Sequence, residues 1–254
     1  MREPEIWDKI TQRRIDLESM RERACYVEWE GDDPAVVFSD LACIHAQGIH
    51  TVLDAGCGDG HVSRCVAGFA NEIIALDISL VALNNAARTT EALNVTFVRA
   101  DVKALPFAND SFDLVFSRSF PGSETAHAFS EMYRTMRAGA VLLGTTMGEL
   151  HRIETQEVFG RGLMWPPVKP VRFSIPETLQ AAGLEMTSFA EYYGRMCCPD
   201  ITAFTAELDA QMIIPGFDAD KDAALLREIA RKLTTECGIQ DTTHTAVFAA
   251  WKPG

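Results

Sequence analysis

The sequence predicts an α/β protein built on a doubly wound, mostly parallel sheet. Three observations point there. Short β-branched apolar runs alternate with helix-like segments between residues 48 and 147. That alternation means parallel strands joined by right-handed crossovers, with helices on both faces. The first such run leads straight into "AGCGDGH", with Gly56, Gly58 and Gly60 at alternate positions. The chain has 254 residues, 47% of them hydrophobic, which suits one large domain with elaborations.

The elements follow in order. Residues 1–47 read as an N-terminal helical cap. Within it, Ile6, Ile10, Ile15, Leu17 and Met20 recur at roughly helical intervals, giving one or two amphipathic helices over residues 4–24. "EGDDPA" is a turn that starts another helix, with Asp33 as its cap, Pro34 at its first position and Gly48 at its end. Residues 48–147 form the core. Its strands are "IHTVLDA", "NEIIALDIS", "NVTFVRAD", "FDLVFS" and "AVLLGTTM", with helices over "HVSRCVAGFA", "LVALNNAARTTEAL" and "ETAHAFSEMYRTMRA". Residues 148–254 are the substrate-side half of the same domain. They begin with a loop at 162–174 holding three prolines, a short helix "IPETLQAAG" and a sixth strand "LEMTSFAEYY". A helical insertion at 195–240, broken at "IPGFDAD", precedes a seventh strand, "THTAVFAAW".

Composition narrows the function. A formal net charge of -13 argues against nucleic acid as the main partner, because tracking phosphates needs clustered Lys and Arg. No apolar stretch is long enough to cross a bilayer, and "MREPEIWDKI" lacks a signal peptide's apolar segment. The expectation is a soluble, cytoplasmic protein. The seven cysteines are odd in number and contain no C-x-x-C spacing, so ordinary reduced thiols are expected and no metal site.

A glycine turn between strand and helix brings a ligand against bare backbone. Dinucleotide turns read G-x-G-x-x-G, whereas here His61 stands where the last glycine belongs, and no Lys-Ser or Lys-Thr follows as a P-loop requires. The loop is therefore suited to something less anionic than pyrophosphate. Asp77 ends the second strand, where a carboxylate can accept ribose hydroxyls. Asp101 ends the third, where one can take an adenine amine beside the Val102 N–H. Either aspartate alone also fits a helix or turn cap.

From Val52 to Thr146 the sequence resembles the class I S-adenosylmethionine-dependent methyltransferases, in their small-molecule, methyltransferase type 11-like branch. The resemblance rests on "VLDAGCGDG", "IIALDIS", "VRADVKALPFANDSFDLVFS" and "EMYRTMRAGAVLLGTT". It implies S-adenosylmethionine as cofactor and a seven-stranded Rossmann-like methyltransferase fold whose last strand inserts antiparallel. It also implies residue roles. Asp54, Gly56 and Gly58, with Cys57 between them, line the methionine end. Asp77 takes the ribose, with Ile78 beside it; Asp101 and Val102 take the adenine, and Ser117 borders the cofactor. The family often has Pro-Gly-Gly before the fifth strand, where this chain has Ala138-Gly139-Ala140.

Methyl transfer from a sulfonium needs alignment, exclusion of water and, for an O–H or N–H acceptor, a place for a proton. His127 and His151 are the candidate catalytic residues, and His61 is a candidate contact for the methionine carboxylate. Arg118 and Trp165 are candidate substrate contacts. The expected activity is methylation of an O or N atom of a small metabolite. Methylation of RNA or protein, or a catalytically silent cofactor-binding partner, are the alternatives.

Overall fold

The structure, a computed structural model, describes residues 3–19, 25–118 and 125–254. Met20 and the loop at 119–124 lie outside them.

Five strands form the parallel part of one sheet. They are β2 (Thr51–Ala55), β3 (Glu72–Asp77), β4 (Val95–Arg99), β5 (Phe112–Ser117) and β6 (Met136–Met147). β1 (Tyr26–Trp29), β7 (Glu185–Cys198) and β9 (Gly238–Trp251) complete the order β1-β7-β9-β6-β5-β2-β3-β4. A two-residue strand, β8 (Thr234–Thr235), folds back on β9. All seven strands expected from the sequence are present, and β9 runs antiparallel to both β6 and β7. The other two, β1 and β8, raise the count among the described residues to nine.

The parallel strands read as apolar runs because both faces are covered. On one face Leu53, Leu76, Val115 and Leu142 pack with Phe129 and Met132 of α5 (Thr125–Thr135) and Leu179 of α7 (Val171–Ala181). On the other, Val52, Ile73, Leu114 and Leu143 meet Phe38 and Ala42 of α2 (Pro34–Ala46) and Val66 of α3 (His61–Val66). α4 (Leu80–Thr89) lies along β3 and β4, while a short helix, α6 (Ile153–Phe159), packs on β9 and the helical insertion. The helical insertion is α8 (Ile201–Gln211) and α9 (Ala223–Leu233), separated where the sequence reading placed the break.

Several boundaries move. The helix read through Ala138 stops at Thr135, and β6 begins at Met136. Gly139 sits inside that strand at φ +81°, its N–H donating to the Lys252 carbonyl, so the missing proline leaves the bend intact. The Pro-rich loop ends at Pro170, and residues 171–174 open α7 behind it. N-terminally, the next described element after α1 (Glu3–Ser19) is β1; residues 20–24 of the expected helical segment lie outside the described residues. This edge strand pairs antiparallel with Gly194–Cys197 of β7.

The thiol expectation is corrected as well. The structure bonds Cys25 to Cys198 and Cys197 to Cys237, leaving Cys43, Cys57 and Cys65 free. Neighbouring residues of a strand face opposite sides, so the two disulfides clamp β7 on both faces. One ties it to the chain entering β1, the other to the β8–β9 hairpin. A reducing compartment does not favour such bonds. No helix among the described residues is long and apolar enough to cross a membrane.

Candidate cofactor site

The site forms at the carboxyl ends of β2, β3, β4 and β5, where open parallel sheets bind ligands. Gly56, Gly58 and Gly60 all take positive φ, at +83°, +54° and +76°. Their surroundings differ. A Cβ on Gly60 would press on Ala86 at 3.1 Å and Phe97 at 3.5 Å, so this glycine admits helix packing. A Cβ on Gly58 would meet no protein atom within 4 Å. Gly56 faces Ser117, whose Oγ lies 3.8 Å from the Cβ position.

The loop's N–H groups are largely engaged at home. Gly56 and Cys57 both donate to the Leu76 carbonyl, at 2.7 and 2.8 Å. Gly58 donates to Asp77 Oδ2 at 2.9 Å, Gly60 to the Cys57 carbonyl, and His61 to Asp59 Oδ1. A phosphate-binding turn presents these groups outward; this one turns them in and surrounds itself with carboxylates. That is the electrostatics of a site for a neutral or cationic ligand, as the glycine spacing suggested.

Asp77 has a second job that the sequence reading did not anticipate. Its Oδ1 accepts the Ser79 N–H at 2.8 Å while Oδ2 holds Gly58. One carboxylate thus pins the glycine loop to the start of α4. A carboxylate has about four lone-pair positions, so each oxygen keeps one acceptor position open. Burial raises its pKa against the pull of those N–H donors. Ile78 follows, its carbonyl accepting from Arg99 Nε. Asp101 likewise combines roles. It caps a turn by accepting the Lys103 N–H at 2.8 Å and stands 3.7 Å from that lysine's Nζ. Val102 packs against the core from the same turn.

Asp54 lies beneath the loop, 2% exposed, and accepts a short 2.5 Å bond from Ser63 Oγ of α3. Burial pushes its pKa up to about 7, opposed by Ser63 and by Arg118 and assisted by the charge of Asp77. Cys57 is buried with its thiol pushed well above its usual range by the same burial and by Asp54 and Asp77. Arg118 stands exposed at the end of β5, close enough to Asp54 to feel its charge.

The α1 helix crosses this edge. Asp8 Oδ1 accepts from Ser79 Oγ at 2.7 Å and from the Val81 N–H at 3.2 Å. Glu3 pairs with Lys103 at 2.8 Å and Arg13 with Asp209 of α8 at 3.0 Å. The cap therefore runs from the Asp101 turn, past Asp77, to the helical insertion.

The two candidate catalytic histidines are not brought together. His127 stands exposed on α5, four residues before Glu131. His151 is wedged between β9 and α8. Its Nδ1 meets Thr243 Oγ1 at 3.2 Å and accepts the His244 N–H at 3.4 Å, and its side chain also bonds Gln211. Burial, with Arg152 beside it, lowers its pKa to about 3. A base that weak with its nitrogens engaged is poorly matched to taking a proton at neutral pH. His61 points back along α3 toward Cys65 at 3.8 Å. Trp165 is half-buried in the proline loop, which is fixed by the buried Gln156: its Oε1 accepts the Met164 N–H, and its Nε2 donates to the His151 carbonyl. Sequence reasoning passed over Gln156, whose only signal is Gly162, where a Cβ would overlap the glutamine side chain.

Asp54 sets a pH dependence. Its unfolded pKa is 3.8 and its folded pKa about 7, so the folded state holds a proton that the unfolded state has lost. The stability this proton brings is full below pH 3.8 and disappears as pH rises through 7. Asp241, raised by burial to about 8, acts in the same direction. His151 acts oppositely, but only between about pH 3 and its unfolded value of 6.5. The clean window is therefore pH 6.5–8, where the melting temperature of the unliganded protein should fall. Asp54→Asn should make that fall shallower; a slope identical to the parent's in thermal scans would refute the burial argument.

Residues 52–139 match the family model described as a methyltransferase domain. The malonyl-[acyl-carrier protein] O-methyltransferase of Enterobacter lignolyticus is 38% identical over 109 residues, 42% of this chain and 43% of that protein. The aligned segment thus spans less than half the length of that relative. Among solved structures, the YcgJ protein of Bacillus subtilis superposes with a TM-score of 0.66 at 16% identity, covering 86% of this chain and 99% of that one. The [4+2]-cyclase SpnF superposes at 0.65 with 21% identity, covering 98% and 95%. At such identities the structures speak for the fold alone, and a cyclase among them is a reminder that one fold hosts several chemistries. The sequence match adds what the fold lacks: residues 52–139 match a methyltransferase domain, in keeping with the resemblance to the class I S-adenosylmethionine-dependent methyltransferases.

Proposed function

We propose that this protein transfers a methyl group from S-adenosylmethionine to an oxygen or nitrogen of a small-molecule acceptor. The observation that carries the reading is the inward-turned glycine loop ringed by Asp54, Asp77 and Asp101. Such a ring complements a ligand with a sulfonium and an ammonium at one end and ribose hydroxyls and an adenine amine at the other. The residues present fit that ligand: Gly58 leaves open space, Asp77 keeps acceptor positions, and Asp101 lies one strand further at the adenine end.

When bound, the sulfonium supplies both the electrophile and a neutral leaving group. The chain's share is placement and exclusion of water. α1 closes the edge over β3 and β4, and Ser117 and Arg118 border the acceptor's approach. Neither candidate histidine is disposed as a base. An acceptor that is already anionic, such as a carboxylate, requires none, and Arg118 suits it as an anchor. The malonyl-[acyl-carrier protein] relatives methylate an oxygen by their name, which supports the same reaction class, although the match with the first of them covers 42% of this chain.

The test uses methyl-labelled S-adenosylmethionine with a metabolite extract, malonyl-loaded carrier protein, RNA and bulk protein, each counted separately. Label should enter the small-molecule or carrier-bound fraction. Label in RNA or bulk protein would replace the proposed acceptor class. Tight cofactor binding with no transfer to any fraction would favour a silent binding partner.

A further inference from the structure

We propose that Glu149, Glu191 and His244 form a binding site for one divalent transition-metal ion. The inference does not rest on methyl transfer. The three residues come from separate elements: Glu149 lies two residues beyond β6, Glu191 is in β7 and His244 in β9. One donor atom from each lies within 4.8 Å of the other two. His244 Nε2 is 3.3 Å from Glu191 Oε1, and His244 Nδ1 is 3.9 Å from Glu149 Oε2. Donors at the corners of a tetrahedron with metal bonds of about 2.0–2.1 Å stand about 3.4 Å apart; the Nε2–Glu191 pair already has that spacing, and Glu149, which now lies nearer Nδ1, has to close on Nε2.

The second observation is that the cluster is polar, buried and unsatisfied. His244 is fully buried, and although its Nε2 lies 3.3 Å from Glu191 Oε1 the two do not meet in hydrogen-bonding geometry, so neither atom has a partner. Buried polar atoms are rarely left so, and those that are call for a ligand. Charge points the same way. Arg172, half-exposed, stands 3.8 Å from Glu149 and 3.7 Å from Glu191. It compensates one carboxylate from outside and leaves the other.

The ring's seat is built for it. Tyr193 stacks on His244 at 4.4 Å, and a Cβ on Gly148 would fall 2.1 Å from Nδ1, so only glycine admits the ring there. The Leu150 N–H approaches Nδ1 at 3.3 Å, which in the metal-free protein favours the proton on Nε2. Ligation through Nε2 moves that proton to Nδ1, toward Glu149, and gives up this one long contact. One imidazole and two carboxylates suit zinc, cobalt, manganese or iron better than calcium or magnesium, which prefer oxygen throughout. Three protein ligands also leave a coordination position open, the pattern of a reactive site and not of a closed structural one.

The test is titration of the chelator-stripped full chain with Co2+, followed by calorimetry and visible absorption. One equivalent should bind without the thiolate charge-transfer bands that Cys43, Cys57 or Cys65 would give. Glu149→Gln and Glu191→Gln, both isosteric, should each weaken binding at least tenfold, while Glu177→Gln on the exposed face of α7 should leave it unchanged. Circular dichroism checks that each variant is folded. Pulsed electron paramagnetic resonance of the Mn2+-loaded parent, which needs no variant, should show nitrogen coupling from one imidazole. No bound Co2+, thiolate bands, no imidazole coupling, or parent-like affinity in both glutamine variants would overturn the site and leave a buried carboxylate–imidazole pair.

Discussion

Gly58→Val should fold and should fail to bind S-adenosylmethionine. The valine Cβ meets no protein atom within 4 Å, so the fold has room for it. Its cost to the fold is conformational: φ is +54° there, and holding a non-glycine residue in that region costs roughly 1–3 kcal/mol, toward the upper end for a β-branched one. The same open space is what the ligand must enter. A branched side chain fills it, and affinity should drop by on the order of a hundredfold or more, about 2.7 kcal/mol. Gly60→Ala is the contrasting variant. Its methyl group presses on Ala86 and Phe97, so the melting temperature should suffer more than ligand affinity. Calorimetry and ligand-free thermal unfolding of both variants separate the cases. Parent-like binding by a folded Gly58→Val would mean that the glycines serve only the turn.

The contrast between those two glycines also shows how far the sequence could be read. Alternate glycines after an apolar run announce a bare turn, and the period-2 and helical runs behind it give the parallel strands. Both signals are local, and both are borne out. What escaped the reading depends on partners far along the chain. β1 is four residues long, faces solvent on much of its surface and exists because β7 offers it an edge. Gly194 marks that edge, since a Cβ there would lie 2.6 Å from the Glu28 carbonyl, but nothing near Gly194 in sequence says so. The disulfides join residues 173 and 40 positions apart, which no spacing rule reaches. Glu149, Glu191 and His244 are hidden in the same way. His151 failed differently. Its place after β6 was read well, but its burial against β9 and α8 is a tertiary fact, and burial is what makes it a poor base.

Asp77→Ala should lower both the stability of the unliganded protein and its affinity for the cofactor. Recognition of ribose alone would predict only the second effect. The carboxylate also accepts the Gly58 and Ser79 N–H groups, and hydrogen bonds to a charged group are worth about 1.5–3 kcal/mol each. Loss of the Gly58 bond loosens the loop beyond Cys57, which Leu76 still holds, and loss of the Ser79 bond loosens the start of α4, so the cofactor meets a site that it must first order. Affinity should fall at least tenfold. Asp77→Asn is not a gentle substitute, because its amide nitrogen would face one of the two N–H donors. The ribose contact can be isolated by a cycle: parent and Asp77→Ala are each titrated with S-adenosylhomocysteine and with its 2′-deoxy analogue. If Asp77 holds the hydroxyl, removing the hydroxyl weakens the parent and has little further effect on the variant. An equal loss in both proteins would place the ribose elsewhere and leave Asp77 as the pin of the loop. Unchanged thermal stability in Asp77→Ala would remove the pin instead.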